Sequence, residues 1–142
     1  LEPLIDAGEE LAAIIAGNGE ATPDRVGRLA LAITVSVRLR DAHLLLGLDH
    51  IQRSATVWTA MSRSMRGIAR AQAATIAAAY HYMGGDGPRA GIAVDVATQA
   101  ARDAGQQPLK LTGLLDTALH MGVTPEKIRD VIVNAGNATS DA

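Results

Sequence analysis

The sequence predicts an all-α fold of about seven or eight short helices packed as antiparallel helical hairpins, read from hydrophobic periodicity. Three observations carry this. Apolar residues recur at steps of three and four along nearly every segment. The prolines fall at or just ahead of segment starts, where a missing N–H costs nothing, and glycines fall at the ends. Branched residues alternate in strand fashion only at residues 33–38, where the preceding helical stripe runs straight in; a short extended piece at 35–38 is the alternative there.

The elements follow in order. Residues 2–16 form the first candidate helix, with Pro3 near its start and Gly17 after it. Thr22-Pro23-Asp24 reads as an N-cap, a first helical residue and an acid at the positive helix end. It opens a stripe of Val26, Leu29, Ala30, Ile33 and Val37. A short third helix holds Ala42, Leu45 and Leu46 and stops at Gly47. Residues 51–66 carry Ile51, Ala55, Trp58, Met61 and Met65. Residues 72–83 carry Ala73, Ile76, Ala77, Tyr80 and Met83. Residues 88–104 carry Ile92, Ala93, Val96, Ala97, Ala100 and Ala104. Residues 109–121, after Pro108, carry Leu111, Leu114, Leu115, Ala118 and Leu119. Thr124-Pro125-Glu126 opens the last, with Ile128, Val131, Ile132 and Ala135 ahead of Gly136. Small residues let helix axes approach closely. The alanines of residues 73–79 and 90–104 therefore predict a tight hairpin joined at residues 84–87.

Composition bounds the function. The 142 residues are 48% hydrophobic with net charge −2, which suits one helical domain spanning residues 1–142 and excludes a disordered chain. There are 27 Ala and 15 Leu against only 3 aromatics, so the core is built from small aliphatic side chains. Without Cys there is no disulfide scaffold, thiolate metal site or cysteine nucleophile. Residues 1–20 are acidic and broken by Gly8 and Gly17, unlike a signal peptide, and no apolar run approaches a membrane span. A soluble, cytoplasmic protein is expected. The start at Leu1 rather than Met predicts a fragment of a longer chain. The small negative charge argues against nucleic acid as a partner.

Two resemblances are carried by particular residues. Gly85-Asp86-Gly87, Ala90, Val94 and Ala97 resemble the turn and second helix of a tetratricopeptide unit, covering residues 72–104 and extending as a packing style to residue 135. His81 replaces that unit's usual aromatic, and the ~34-residue period does not recur. The chain also resembles the C-terminal helical half of the actinobacterial domain of unknown function 4192 family, across residues 22–132. The likeness rests on Val37-Arg38-Leu39-Arg40-Asp41-Ala42, on Trp58 and residues 61–70, and on Ala73-Ala74-Thr75-Ile76-Ala77. It continues through Tyr82-Met83-Gly84-Gly85-Asp86-Gly87-Pro88-Arg89-Ala90, Ala93-Val94-Asp95-Val96-Ala97, Leu114-Leu115-Asp116 and Gly122-Val123-Thr124-Pro125. The segment at residues 106–110 lacks the aromatic that the family often places there. The resemblance implies a helical fold and no assigned activity. The family's N-terminal α/β half has no counterpart in this chain.

Candidate sites are few. His43, His50, His81 and His120 show no metal-ligand spacing, so no metal and no cofactor is expected. Ser36, Ser54, Ser62 and Ser64 lack a nucleophile context, so no catalytic residue is assigned. Residues 84–88 lead into a helix N-terminus, but Asp86 suits an N-cap better than an anion site. Arg63, Arg66 and Arg70 share one face if a helix continues through Gly67, making a candidate binding patch; the plainer reading is a solvated face. Trp58, Tyr80, His81 and Tyr82 are the candidate lining of a pocket, or else core. The expected function is non-catalytic: contact with the chain's own N-terminal domain, another protein or a second copy in a homo-oligomer. The alternative is a small-ligand or enzymatic module using that pocket.

Overall fold

Helix Gly67–Met83 is enclosed on every side, with ten consecutive residues, 71 to 80, all buried. This computed structural model describes residues 47–141. Five helices occur among them: α1 (Ile51–Ser64), α2 (Gly67–Met83), α3 (Gly87–Asp103), α4 (Lys110–Met121) and α5 (Pro125–Asp141). No strand occurs among the described residues. The helices expected within residues 2–46, and the extended alternative at 35–38, lie outside them.

Each of the other four helices packs against α2. The sequence predicts a one-sided stripe there, but apolar or small residues surround most of the helix from 71 to 80, with Gln72 the one large amide buried among them, which marks a buried helix rather than a surface one. Ala71, Ala73, Ala74, Ala77, Ala78 and Ala79 are each no more than 1% exposed, leaving little between α2 and its neighbours but backbone. Trp58, Met61, Ile76, Tyr80, Leu115 and Ile128 supply the bulk around it.

Caps set the turns. Asp86 accepts from the Arg89 N–H at 3.0 Å and caps α3 as expected. Thr124 Oγ1 accepts from the Lys127 N–H at 3.2 Å, and Gly122 closes α4 in the left-handed region. Two boundaries and one buried face differ from the sequence reading. The second hairpin helix begins at Gly67, five residues early, because Gly67 takes φ +59 and turns the chain directly out of α1. α5 runs past Gly136 to Asp141, since no proline or second glycine follows to stop it. In α3 the buried face is Ala90, Val94, Ala97, Ala100 and Ala101, while Ile92 and Val96 of the expected stripe are 64% and 40% exposed. The small face wins because it alone lets α3 come close to α2.

One buried polar contact joins α2 to α4. Thr75 Oγ1 donates to the Ala71 carbonyl at 2.7 Å and lies 2.6 Å from Thr112 Oγ1, with Thr75 fully buried and Thr112 1% exposed. Thr75→Val is expected to cost about 1–2 kcal/mol, because it removes the acceptor of the buried Thr112 hydroxyl, whereas Thr112→Val leaves the Thr75 bond to the Ala71 carbonyl in place. Thr75→Val combined with Thr112→Val should cost less than the two single changes added. Urea unfolding of the three variants checks this.

Candidate functional site

α1 and α3 stand on either side of α2 and leave a groove of about 790 Å³ between them. Ala74 and Ala77 of α2 form its floor. Thr56, Thr59, Ala60 and Arg63 line one wall, and Arg89, Ile92, Ala93 and Val96 the other. Arg70 and His81 also border it, and among the described residues no carboxylate lines it. A smaller recess of about 490 Å³ shares Thr56, His81 and Arg89 and reaches Tyr80, Gly84 and Asp86. The groove exists because the floor is alanine: a larger side chain at either floor position would fill it.

The arginines behave differently from one another. α1 ends at Ser64 and Gly67 redirects the chain, so Arg63, Arg66 and Arg70 do not share a continuous helix face. Arg63 and Arg66 are exposed, and Arg66 occupies the N-cap position of α2. Arg70 reaches back: its Nε donates to the Ser62 carbonyl at 3.0 Å and its Nη2 to the Arg63 carbonyl at 3.1 Å. It thus adds side-chain donors to carbonyls in the last turn of α1, of which the Ser62 carbonyl also accepts from the Met65 N–H at 3.3 Å. Arg89 pairs with Asp86 at 3.3 Å at the other end of the groove. Arg70→Ala is expected to lower stability by about 1–2 kcal/mol, as loss of a charged hydrogen-bond donor does. Arg63→Ala and Arg66→Ala should stay within about 0.5 kcal/mol, as exposed changes do. Thermal unfolding of the three variants distinguishes these.

Of the candidate pocket residues, Trp58 and Tyr80 are fully buried in the core and Tyr82 is 4% exposed. The Tyr80 hydroxyl accepts from the Gly47 N–H at 3.1 Å, while Ser54 Oγ donates to the Gly47 carbonyl at 3.1 Å. A side chain at position 47 would collide with both Ser54 and Tyr80. Burial pushes the Tyr80 hydroxyl well above its ordinary pKa. Burial likewise raises that of Tyr82, whose hydroxyl donates to the Val123 carbonyl at 2.7 Å. His81 is the member of this group that lines the larger groove, with Nε2 3.0 Å from Thr59 Oγ1. The groove therefore depends on residues the sequence reading did not single out as a site: Thr59, Arg89, Ile92 and Val96. The signal was present, since Arg89, Ile92 and Val96 step by three and four beside an alanine face already sufficient for packing.

Among the other imidazoles, His50 is exposed, and His120 Nδ1 lies 2.8 Å from the Asp116 carbonyl. His43 and Ser36 lie outside the described residues. Ser62 donates to the Thr59 carbonyl at 2.7 Å. Among the described residues, no group of three or more His, Asp and Glu could hold a metal ion. No helix among them is long and apolar enough to cross a membrane.

Partial burial pulls the His81 pKa below its usual value; Asp86 opposes that shift and Arg89 adds to it. A histidine with a depressed folded-state pKa stabilises the fold above its unfolded pKa of about 6.5 and loses that contribution as pH falls through the folded value. Acidification from neutral pH should thus lower the melting temperature, and His81→Gln should flatten the part of that fall due to this residue. Thermal melts at stepped pH measure both.

An all-helical domain with an alanine-floored, arginine-rimmed groove is the class this geometry defines. A family model described as Domain of unknown function (DUF4192) matches residues 3–126. The chain belongs to that family, and the match reaches further toward the N-terminus than the motifs quoted above. No curated protein and no solved structure matches it.

Proposed function

We propose that the chain is a non-catalytic helical docking domain of a cytoplasmic protein, and that the groove between α1 and α3 is its contact surface for another polypeptide. The observation behind this reading is the pair Ile92 and Val96, 64% and 40% exposed and aligned along one wall of the groove. Exposed aliphatic side chains beside a concave floor provide the anchor pocket that a helix-in-groove contact uses. Hairpins packed in the manner of tetratricopeptide units across residues 72–135 suit the same role. A second reading is a small anionic ligand in that groove, favoured by its volume of about 790 Å³ and by the polar pair His81 and Thr59.

A photocross-linking side chain at position 92, compared with one at exposed Arg102, separates the readings in cells. The docking reading expects a covalent polypeptide adduct at 92 and none at 102. Absence of any polypeptide adduct at 92 would count against it. A small-molecule mass retained by the gently purified chain in native mass spectrometry would favour the ligand reading.

A further inference from the structure

We propose that the polypeptide seated in this groove is an acidic helix with an aliphatic face, its carboxylates lying at the Arg63 end. The inference rests on the docking reading above and names the chemistry of the partner.

The two ends of the groove differ in charge. At one end Arg89 pairs with Asp86 at 3.3 Å, so the two charges largely cancel there. At the other end α1 gives way to α2, and three cations meet. Arg63 lines the groove, Arg66 follows at the turn, and Arg70 Nη2 reaches the Arg63 carbonyl at 3.1 Å. Both groups that Arg70 bonds are carbonyls, so its charge is held in place without being cancelled. Among the described residues none of these three arginines makes an ion pair, although Asp and Glu outnumber Lys and Arg by 15 to 13 in the chain. Like charges this close repel one another, and an anionic partner relieves that repulsion as it binds.

Beside the arginines the wall is aliphatic. Ile92 and Val96 stand one helical turn apart on α3, 64% and 40% exposed, above a floor of Ala74 and Ala77. A Cβ added at Gly67 would lie 3.9 Å from the Ala104 Cβ, so the α1–α2 turn sits against the C-terminal end of α3, beyond Val96. The surface therefore passes from apolar to cationic along the groove. A helix with aliphatic residues one turn apart, and Asp or Glu further along the same face, matches that order. A nucleic acid would use the arginines and leave Ile92 and Val96 in water, so the aliphatic wall favours a polypeptide.

The test places a photocross-linking side chain at position 92 of the full chain in its native cell, alone and together with Arg63→Glu and Arg66→Glu. Arg102→Glu, also an exposed change, is the control. Circular dichroism and thermal melting confirm that each variant keeps the fold. The proposal expects the polypeptide adduct at 92 to fall several-fold with Arg63→Glu and Arg66→Glu and to hold steady with Arg102→Glu. Peptide mapping should find Asp or Glu within two turns of the captured residue, and changing those acids to Lys should restore the adduct of the Glu variant. A polypeptide adduct that ignores the arginines, or whose mapped segment carries no acid, would overturn the proposal and leave the docking reading standing. An adduct that nuclease removes would overturn it in favour of nucleic acid. No adduct at 92 would remove the docking reading and this partner together.

Discussion

The burial of α2 on all sides is the constraint from which the rest of the structure follows. Four helices can surround a fifth only if the central one is narrow. Ala71, Ala73, Ala74, Ala77, Ala78 and Ala79 make it so. Burying alanine removes little apolar area per residue, so larger neighbours must add it. Trp58 from α1, Leu115 from α4 and Ile128 from α5 do this, together with the Ile76 and Tyr80 side chains of α2 itself. At one point on α2 a buried hydroxyl is satisfied locally: Thr75 bonds the carbonyl one turn back and meets Thr112.

The groove is the other consequence of the same narrowness. α1 and α3 both contact α2, but alanine does not fill the space between them on the Ala74 and Ala77 side. α3 turns its small face to α2, which moves Ile92 and Val96 to the flank above that space. Arg70 is drawn to the same edge because the end of α1 needs donors. An apolar cleft with cationic margins thus arises from packing and capping needs alone. That is the physical basis for proposing it as a docking surface.

Much of this was legible from the residues. The all-helical class, the cap at Asp86, the N-cap at Thr124 and the closing glycine at 122 depend on local chemistry, and local chemistry is written in sequence. Trp58 as a core residue followed from its place on the apolar stripe of α1. What escaped depends on tertiary context. The break at Gly67 is a single residue at positive φ, and glycine there was equally compatible with a continuous helix. With that break, three arginines expected on one face separated into an exposed residue, an N-cap residue and a capping donor. The orientation of α3 was decided by competition between a large apolar stripe and a small one, and a single helix cannot reveal which its neighbour requires.

The most direct test of the central packing claim is the stability of Ala78→Leu beside Ala60→Leu. Ala78 on α2 is fully buried, whereas Ala60 on α1 is exposed. If narrow packing around α2 holds the fold, Ala78→Leu should lose about 1–3 kcal/mol in denaturant unfolding, from overpacking a filled site. Ala60→Leu should change by less than about 0.5 kcal/mol. An Ala78→Leu chain as stable as the parent would contradict the claim.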